Sequence, residues 1–460
     1  MMALFRRRVL VQLMLAAACA GLPAWGWAQN VEERKPSLPE GYSCSVCHTK
    51  SGELWSEGTP VTEEKDMLGD IHWQKGLRCH DCHGGSPNLE GFKNHRNDSS
   101  FRPLRSPADI PAFCGHCHSS IDYMRQYAPS ARTDQEAEYW TSGHGKRLKA
   151  TAGDKDAVVD RAVATCVDCH GGHGILAVDD PACGVYPTRV ASTCARCHSD
   201  EKRMAGRTYH DRPLGHQQYE QWRQSVHGQA LLDKGDLSAP ACNDCHGNHG
   251  ATPPGVNSVA NACGTCHGKI SKLFAETSMK HKFEQVGLPG CATCHGNHLI
   301  GHPNDEMLGM ESNAVCSRCH NSDHPQYGAT VAGAVTAKAI RSQLDKLKQE
   351  IDEAENKVRE AERLGMEVRG PRFDLRQAFD ALTNARTQVH SFRPGPTEEA
   401  LDQGLKVTSS VKIGADEALR EHTYRRVWLA TSLLPILLVV CLLLLYIRTL
   451  GPPTFRRTDS

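Results

Sequence analysis

Cys-x-x-Cys-His occurs nine times between residues 44 and 320. The copies are Cys44, Cys47 and His48; Cys79, Cys82 and His83; Cys114, Cys117 and His118; Cys166, Cys169 and His170; Cys194, Cys197 and His198; Cys242, Cys245 and His246; Cys263, Cys266 and His267; Cys291, Cys294 and His295; and Cys316, Cys319 and His320. Together they use eighteen of the 21 cysteines. Structural zinc wants four ligands in a tetrahedron, commonly two separated Cys/His pairs, and a histidine directly behind the second cysteine is badly placed to serve the same ion. A thioredoxin-like redox site needs one reactive pair in a βαβ setting, not nine in Gly- and Pro-rich loops. Covalent attachment of c-type haem accounts for every letter. The two thiols form thioethers and the adjacent histidine becomes the proximal iron ligand. Nine covalently bound c-type haems are expected.

The motifs belong to a larger repeat. Residues 114–173 read CGHCH, SGHG and CVDCHGGH; residues 194–249 read CARCH, SVHG and CNDCHGNH; residues 263–298 read CGTCH, SMKH and CATCHGNH. The opening segment is a looser copy: CSVCH, then His72, then CHDCHGG, then His95. The unit is a di-haem cassette used four times, with the haem of 316–320 left over. Each cassette carries two further histidines at fixed places, the number needed to close the sixth position of two irons. His72, His95, His144, His173, His227, His249, His281 and His298 are therefore candidate distal ligands. His95 departs from the HGxH spacing. The sequence does not fix which histidine serves which iron. For the ninth iron His302, His324 and His390 compete. His80 and His116, inside their own motifs, read as solvent-facing or supporting groups, and Cys183 as an incidental small residue.

Around these residues the chain must build unusual elements. Aromatic residues make up only 6% of 460, and 53 basic residues balance 53 acidic ones. No basic nucleic-acid surface is implied. Porphyrin faces are expected to fill space that side chains do not. The fold class expected is mainly α with extensive loops organised around covalent haems, followed by a helical hairpin and a C-terminal transmembrane helix. Residues 1–28, with Arg6–Arg8 ahead of an apolar run and Gly26-Trp27-Ala28 at its end, read as a signal peptide. Residues 29–325 read as a periplasmic nonahaem domain. In 330–423, Ala337, Ile340, Leu344, Leu347, Ile351, Ala354, Val358 and Ala361 follow a 3,4 spacing. "GMEVRGP" at 365–371 is expected to break that helix, and Leu375, Ala378, Leu382, Ala385, Val389 and Phe392 resume the spacing. Such a pair is an antiparallel hairpin, with a third helix starting at Thr397 and running towards the membrane. The hairpin reads as a spacer or packing platform, or as the carrier of His390 to a haem. Residues 428–447 contain no charge and are long enough to span a bilayer. Residues 448–460 would then be a short cytoplasmic tail, placing the chain in a bacterial inner membrane with the haem domain in the periplasm.

The segments "YEQWRQSVHGQALLDKGDLSAPACNDCHGNHGATPPGVNSVANACGTCH" and "LPGCATCHGNH" resemble the membrane-anchored multihaem cytochromes grouped with the cytochrome c3 family. The resemblance spans roughly residues 44–325, and the C-terminal helices are also similar. It implies periplasmic electron transfer beside a quinol-oxidising membrane complex. The partners expected are integral membrane redox subunits, a cytochrome b or an iron–sulfur/quinol subunit, and other periplasmic cytochromes. No catalytic residue is assigned. The competing reading is a multihaem oxidoreductase with one open iron, acting on nitrogen or sulfur oxyanions and resembling the tetrathionate reductase and hydroxylamine oxidoreductase group. Sixteen histidines are not proximal residues of a motif, so an open iron is allowed but not required.

Overall fold

The computed structural model describes residues 43–49, 61–87, 98–152, 163–209, 212–321 and 330–451. The expected signal peptide, His95, His324 and most of the expected tail lie outside the described residues. The chain divides into two units. One comprises residues 1–136 and 148–183, the other residues 137–147 and 184–460.

Up to residue 321 the described chain is a series of short helices joined by turns, with a two-residue antiparallel ladder, Thr208–Tyr209 against Arg212–Pro213. The haem motifs themselves form many of these helices. Cys79–His83, Cys166–His170 and Cys242–His246 are single turns capped at both ends. The third motif residue, Asp81, Asp168 or Asp244, accepts a hydrogen bond from the backbone N–H of Arg78, Thr165 or Ala241 at 2.7, 2.7 and 2.8 Å. This satisfies N-terminal groups that a five-residue helix leaves exposed. The glycine behind each histidine ends the turn with φ of 70°, 88° and 83° at Gly84, Gly171 and Gly247, a conformation side chains resist. The CxDCHG lettering is thus a complete turn specification, whatever the cysteines carry.

Side chains do little of the packing here. Among the described residues before 322, five buried apolar groups form one small cluster, Val190, Ala191, Trp222, Leu231 and Ala241, while others such as Met67, Trp73, Leu148 and Phe274 are buried outside it. The C-terminal part is different. Val331–Arg363 is a 33-residue helix whose buried residues are the eight seam positions named above. Arg369–Gln388 packs back on it through Leu375, Ala378, Ala381, Leu382 and Ala385.

Two details differ from the sequence reading. The helix break falls at 364–368, around Gly365 at φ 76°, while Gly370 and Pro371 lie inside the second helix. Proline is tolerated in a first turn, where its missing N–H would have no partner. The third helix begins at Pro394 rather than Thr397 and runs unbroken to Thr449, 56 residues. It belongs to the same core, through Ala400, Leu401, Val411 and Ala415, so the unit is a three-helix bundle rather than a hairpin with a separate membrane-proximal helix. Gly404 permits this: a Cβ there would meet Leu347 Cδ2 at 2.8 Å and Ala381 Cβ at 3.2 Å. Lys412 adds ion pairs to Glu350 and Glu353 at 2.8 and 2.6 Å. Beyond the bundle the same helix has a window of mean hydropathy 2.7 with none of it buried, long and apolar enough to cross a membrane. Pro435 sits within it.

Candidate metal centres

Among the described residues, six histidine pairs recur with nearly one separation. Ring centroids stand 5.9 Å apart for His72 and His118, 6.1 Å for His83 and His173, 6.0 Å for His144 and His198, 6.4 Å for His227 and His267, 6.0 Å for His246 and His298, and 6.1 Å for His295 and His390. Each pair joins one histidine of a CxxCH motif to one outside the motifs. Two imidazoles that clamp one metal ion from opposite sides, by bonds of about 2 Å each, hold their ring centres about 6 Å apart. Interplanar angles run from 12° to 85° across the set. Rings on a common axis rotate freely about it, whereas direct ring contact favours particular tilts. The donor set therefore fits a six-coordinate iron with two axial imidazoles.

The surroundings hold these rings ready. Metal-binding imidazole must be neutral, with the proton on the nitrogen turned away from the ion. Burial lowers the pKa of His83, His198, His295, His298 and His390, and facing histidines lower His83, His295 and His298 further. His390 Nδ1 lies 3.1 Å from the Thr387 carbonyl and His72 Nδ1 lies 3.0 Å from Asp70 Oδ1, partners that leave Nε2 for a metal. His320 Nδ1 is placed the same way, 3.1 Å from the Thr330 carbonyl.

The cysteines of successive motifs also adjoin. Cys114 and Cys166, Cys194 and Cys242, and Cys263 and Cys291 lie within thiol hydrogen-bonding reach. The hydrogen bond within each pair holds Cys166, Cys242 and Cys263 down and pushes Cys114, Cys194 and Cys291 up. Burial pushes Cys82, Cys245 and Cys294 up to about 11, and the neighbouring Cys117, Cys263 and Cys316 add to the effect. From Cys194 to Cys319 the motif cysteines form an unbroken series.

Helix caps fix three of the non-motif histidines. Ile71–Gln74, Gly143–Ala152 and Val226–Leu232 are preceded by Asp70, Ser142 and Ser225. Each cap side chain accepts from a backbone N–H at the helix start, His72, Gly145 and Gly228 respectively. His72, His144 and His227 each stand two residues after their cap.

Of the remaining candidates, His249 occupies in its copy the place that His173 and His298 hold in theirs. His281 is 73% exposed, with Nδ1 3.7 Å from Glu284 Oε2, and is not brought against a motif histidine in the described residues. His302 Nδ1 lies 3.2 Å from the Pro303 carbonyl. His116 meets Arg102 at 2.8 Å, a supporting contact. Cys183 is buried beside the Leu176 carbonyl. Sequence reasoning placed His390 among the candidates for the ninth iron, but its facing histidine is His295. The signal was an off-seam histidine at the end of a helix; its partner, 95 positions earlier, left no trace in local spacing.

Residues 236–321 match the family model described as cytochrome c3. That stretch holds four of the nine motifs and shows the kinship of this segment to haem-binding multihaem cytochromes. No curated protein and no solved structure matches the chain.

Proposed function

We propose that this chain is a membrane-anchored nonahaem cytochrome c that relays electrons in the periplasm as a subunit of a quinol-linked respiratory complex. Each haem, when bound, supplies a one-electron couple whose potential depends on axial ligation, burial and nearby charge. The observation that carries the reading is the set of six histidine pairs, every one a motif histidine against a non-motif histidine at 5.9–6.4 Å. Paired imidazoles leave an iron no free position for a substrate. Adjoining attachment cysteines from Cys194 to Cys319 support a continuous path rather than isolated centres.

The cytochrome c3 match over 236–321 supports the same chemistry. The other motifs extend it to nine haems, with proximal and distal ligands as named above. His83, His118, His198, His246, His267 and His295 would hold the proximal side of the six paired centres, and His173, His72, His144, His298, His227 and His390 the distal side. The 56-residue helix ties this apparatus to a bilayer. With the N-terminal segment as an export signal, the haem domain lies outside and the tail inside. A single span offers little room for a quinone site, so integral membrane redox subunits are the proposed partners.

The test is electron paramagnetic resonance of the purified holoprotein, challenged with cyanide, nitrite and carbon monoxide. Low-spin haems indifferent to all three support the relay. A high-spin haem that binds them in the native protein favours the oxidoreductase reading instead.

A further inference from the structure

The fourth copy, residues 263–298, breaks the pattern at one position. In each copy a short connecting turn is built the same way. A large buried residue, Met67, Tyr139, Trp222 or Phe274, precedes a buried cap residue, Asp70, Ser142, Ser225 or Thr277, by three positions. Ser142, Ser225 and Thr277 donate their hydroxyl protons to the carbonyls of Tyr139, Trp222 and Phe274 at 2.6, 2.6 and 2.7 Å. Their oxygens accept from the N–H groups of Gly145, Gly228 and Lys280 at 3.0, 3.2 and 3.1 Å. In the first copy the Asp70 N–H donates to the Met67 carbonyl at 3.1 Å. The register is therefore set by the cap. Two residues on stand His72, His144, His227 and Met279.

The same rule names the iron each would serve. His72 faces His118, His144 faces His198 and His227 faces His267, in each case the second motif after it along the chain. The second motif after Met279 is that of His320. The neighbourhood agrees. The motif of 79–83 adjoins that of 114–118 through Cys82 and Cys117, and 242–246 adjoins 263–267 through Cys245 and Cys263. In the same manner 291–295 adjoins 316–320 through Cys294 with Cys316 and Cys319. The solitary ninth motif thus stands where the first motif of a cassette stands. It is the opening of a fifth, truncated copy.

We infer that Met279, through its thioether sulfur, is the sixth ligand of the iron held by His320, so that one haem is His/Met-ligated among bis-histidine ones. This rests on the multihaem reading above. Met279 is partly buried in Ser278–Gln285, whereas His281 lies two residues further round the helix and largely in solvent. Thioether ligation raises a haem potential relative to a second imidazole. The haem of His320 would then be the most oxidising of the series and hold electrons at that site.

The experiment uses full-length holoprotein in mild detergent, with Met279→His, Met279→Ala and His281→Ala variants and a pyridine haemochrome count on each. The expected wild-type spectrum carries a far-red methionine-to-ferric-iron charge-transfer band with the intensity of one haem per chain. Met279→His abolishes the band, keeps every haem low-spin and moves one titrating haem to lower potential. Met279→Ala abolishes the band and leaves one haem high-spin, while His281→Ala changes neither. A wild-type protein that carries its haems but lacks the band overturns the inference, as does a high-spin haem created by His281→Ala. A haemochrome count of zero in the wild type fails the underlying cytochrome reading, a result distinct from either.

Discussion

Replacement of His390 by alanine isolates the bundle's contribution to the metal centres. The ring faces His295 at 6.1 Å and makes a 3.1 Å contact to the Thr387 carbonyl within its own helix end. Loss of that hydrogen bond costs about 1 kcal/mol. The bundle core lies elsewhere, in Leu344, Leu347, Ile351, Leu382, Leu401 and Val411, and is untouched. The variant should therefore fold and carry its full haem complement, with one iron in nine reduced to five ligands. About one ninth of the total haem should turn high-spin and bind carbon monoxide, and added imidazole should return it to low spin by entering the vacated space. Spin-quantified paramagnetic resonance and a carbon monoxide difference spectrum read this directly. A wholly low-spin variant would refute the ligand role of His390. Conversion of two or more haems would refute the claim that this ring serves His295 alone.

Further expectations follow from other contacts. Asp305, 6% exposed at its side chain, accepts both Arg386 Nε and Nη2 at 2.9 and 2.8 Å and pairs with Lys348 at 3.1 Å; Asp305→Asn should lower stability by about 2–3 kcal/mol in thermal unfolding of the holoprotein, the partly exposed cations limiting the loss. Hydrogen bonding from Arg386 holds the Asp305 carboxyl below its ordinary 3.8, so this stabilisation is complete above that value and disappears as pH falls through the lower folded pKa. The Asp305→Asn penalty should accordingly be constant between pH 5 and 8 and shrink only below about 4. Gly404→Ala should overpack the helix crossing against Leu347 and Ala381, costing about 1–3 kcal/mol in the same assay. A chain ending at residue 423 should leave the membrane fraction with its haem spectrum unchanged; retention in the membrane would show that 428–447 is not the anchor.

The parts of this molecule that are legible in sequence are those written in local chemistry. The CxxCH motif names its own cofactor because both bonds and the proximal ligand lie within five residues. The 3,4 seam from Ala337 to Ala361 names its buried face because helical period alone decides it. The pairing of motif with non-motif histidines is not local. His83 faces His173 and His246 faces His298, in each case a ring from the next copy. Letters also misled at one point. "SMKH" aligns with "SVHG" by its serine and histidine, yet the cap is Thr277, and a buried hydroxyl bonded back to Phe274 fixes the register one residue earlier. An aromatic residue three before a buried Ser or Thr was the usable signal. The third helix joined the bundle core for a reason equally hard to read: Gly404 is an absence of side chain that matters only once Leu347 is opposite it.

Intact-protein mass spectrometry of the mature chain tests the central claim most directly. The account predicts a mass equal to the polypeptide plus nine haems, each bound without loss of the vinyl carbons. A mature chain of bare polypeptide mass, with eighteen free or disulfide-bonded motif cysteines, would contradict it.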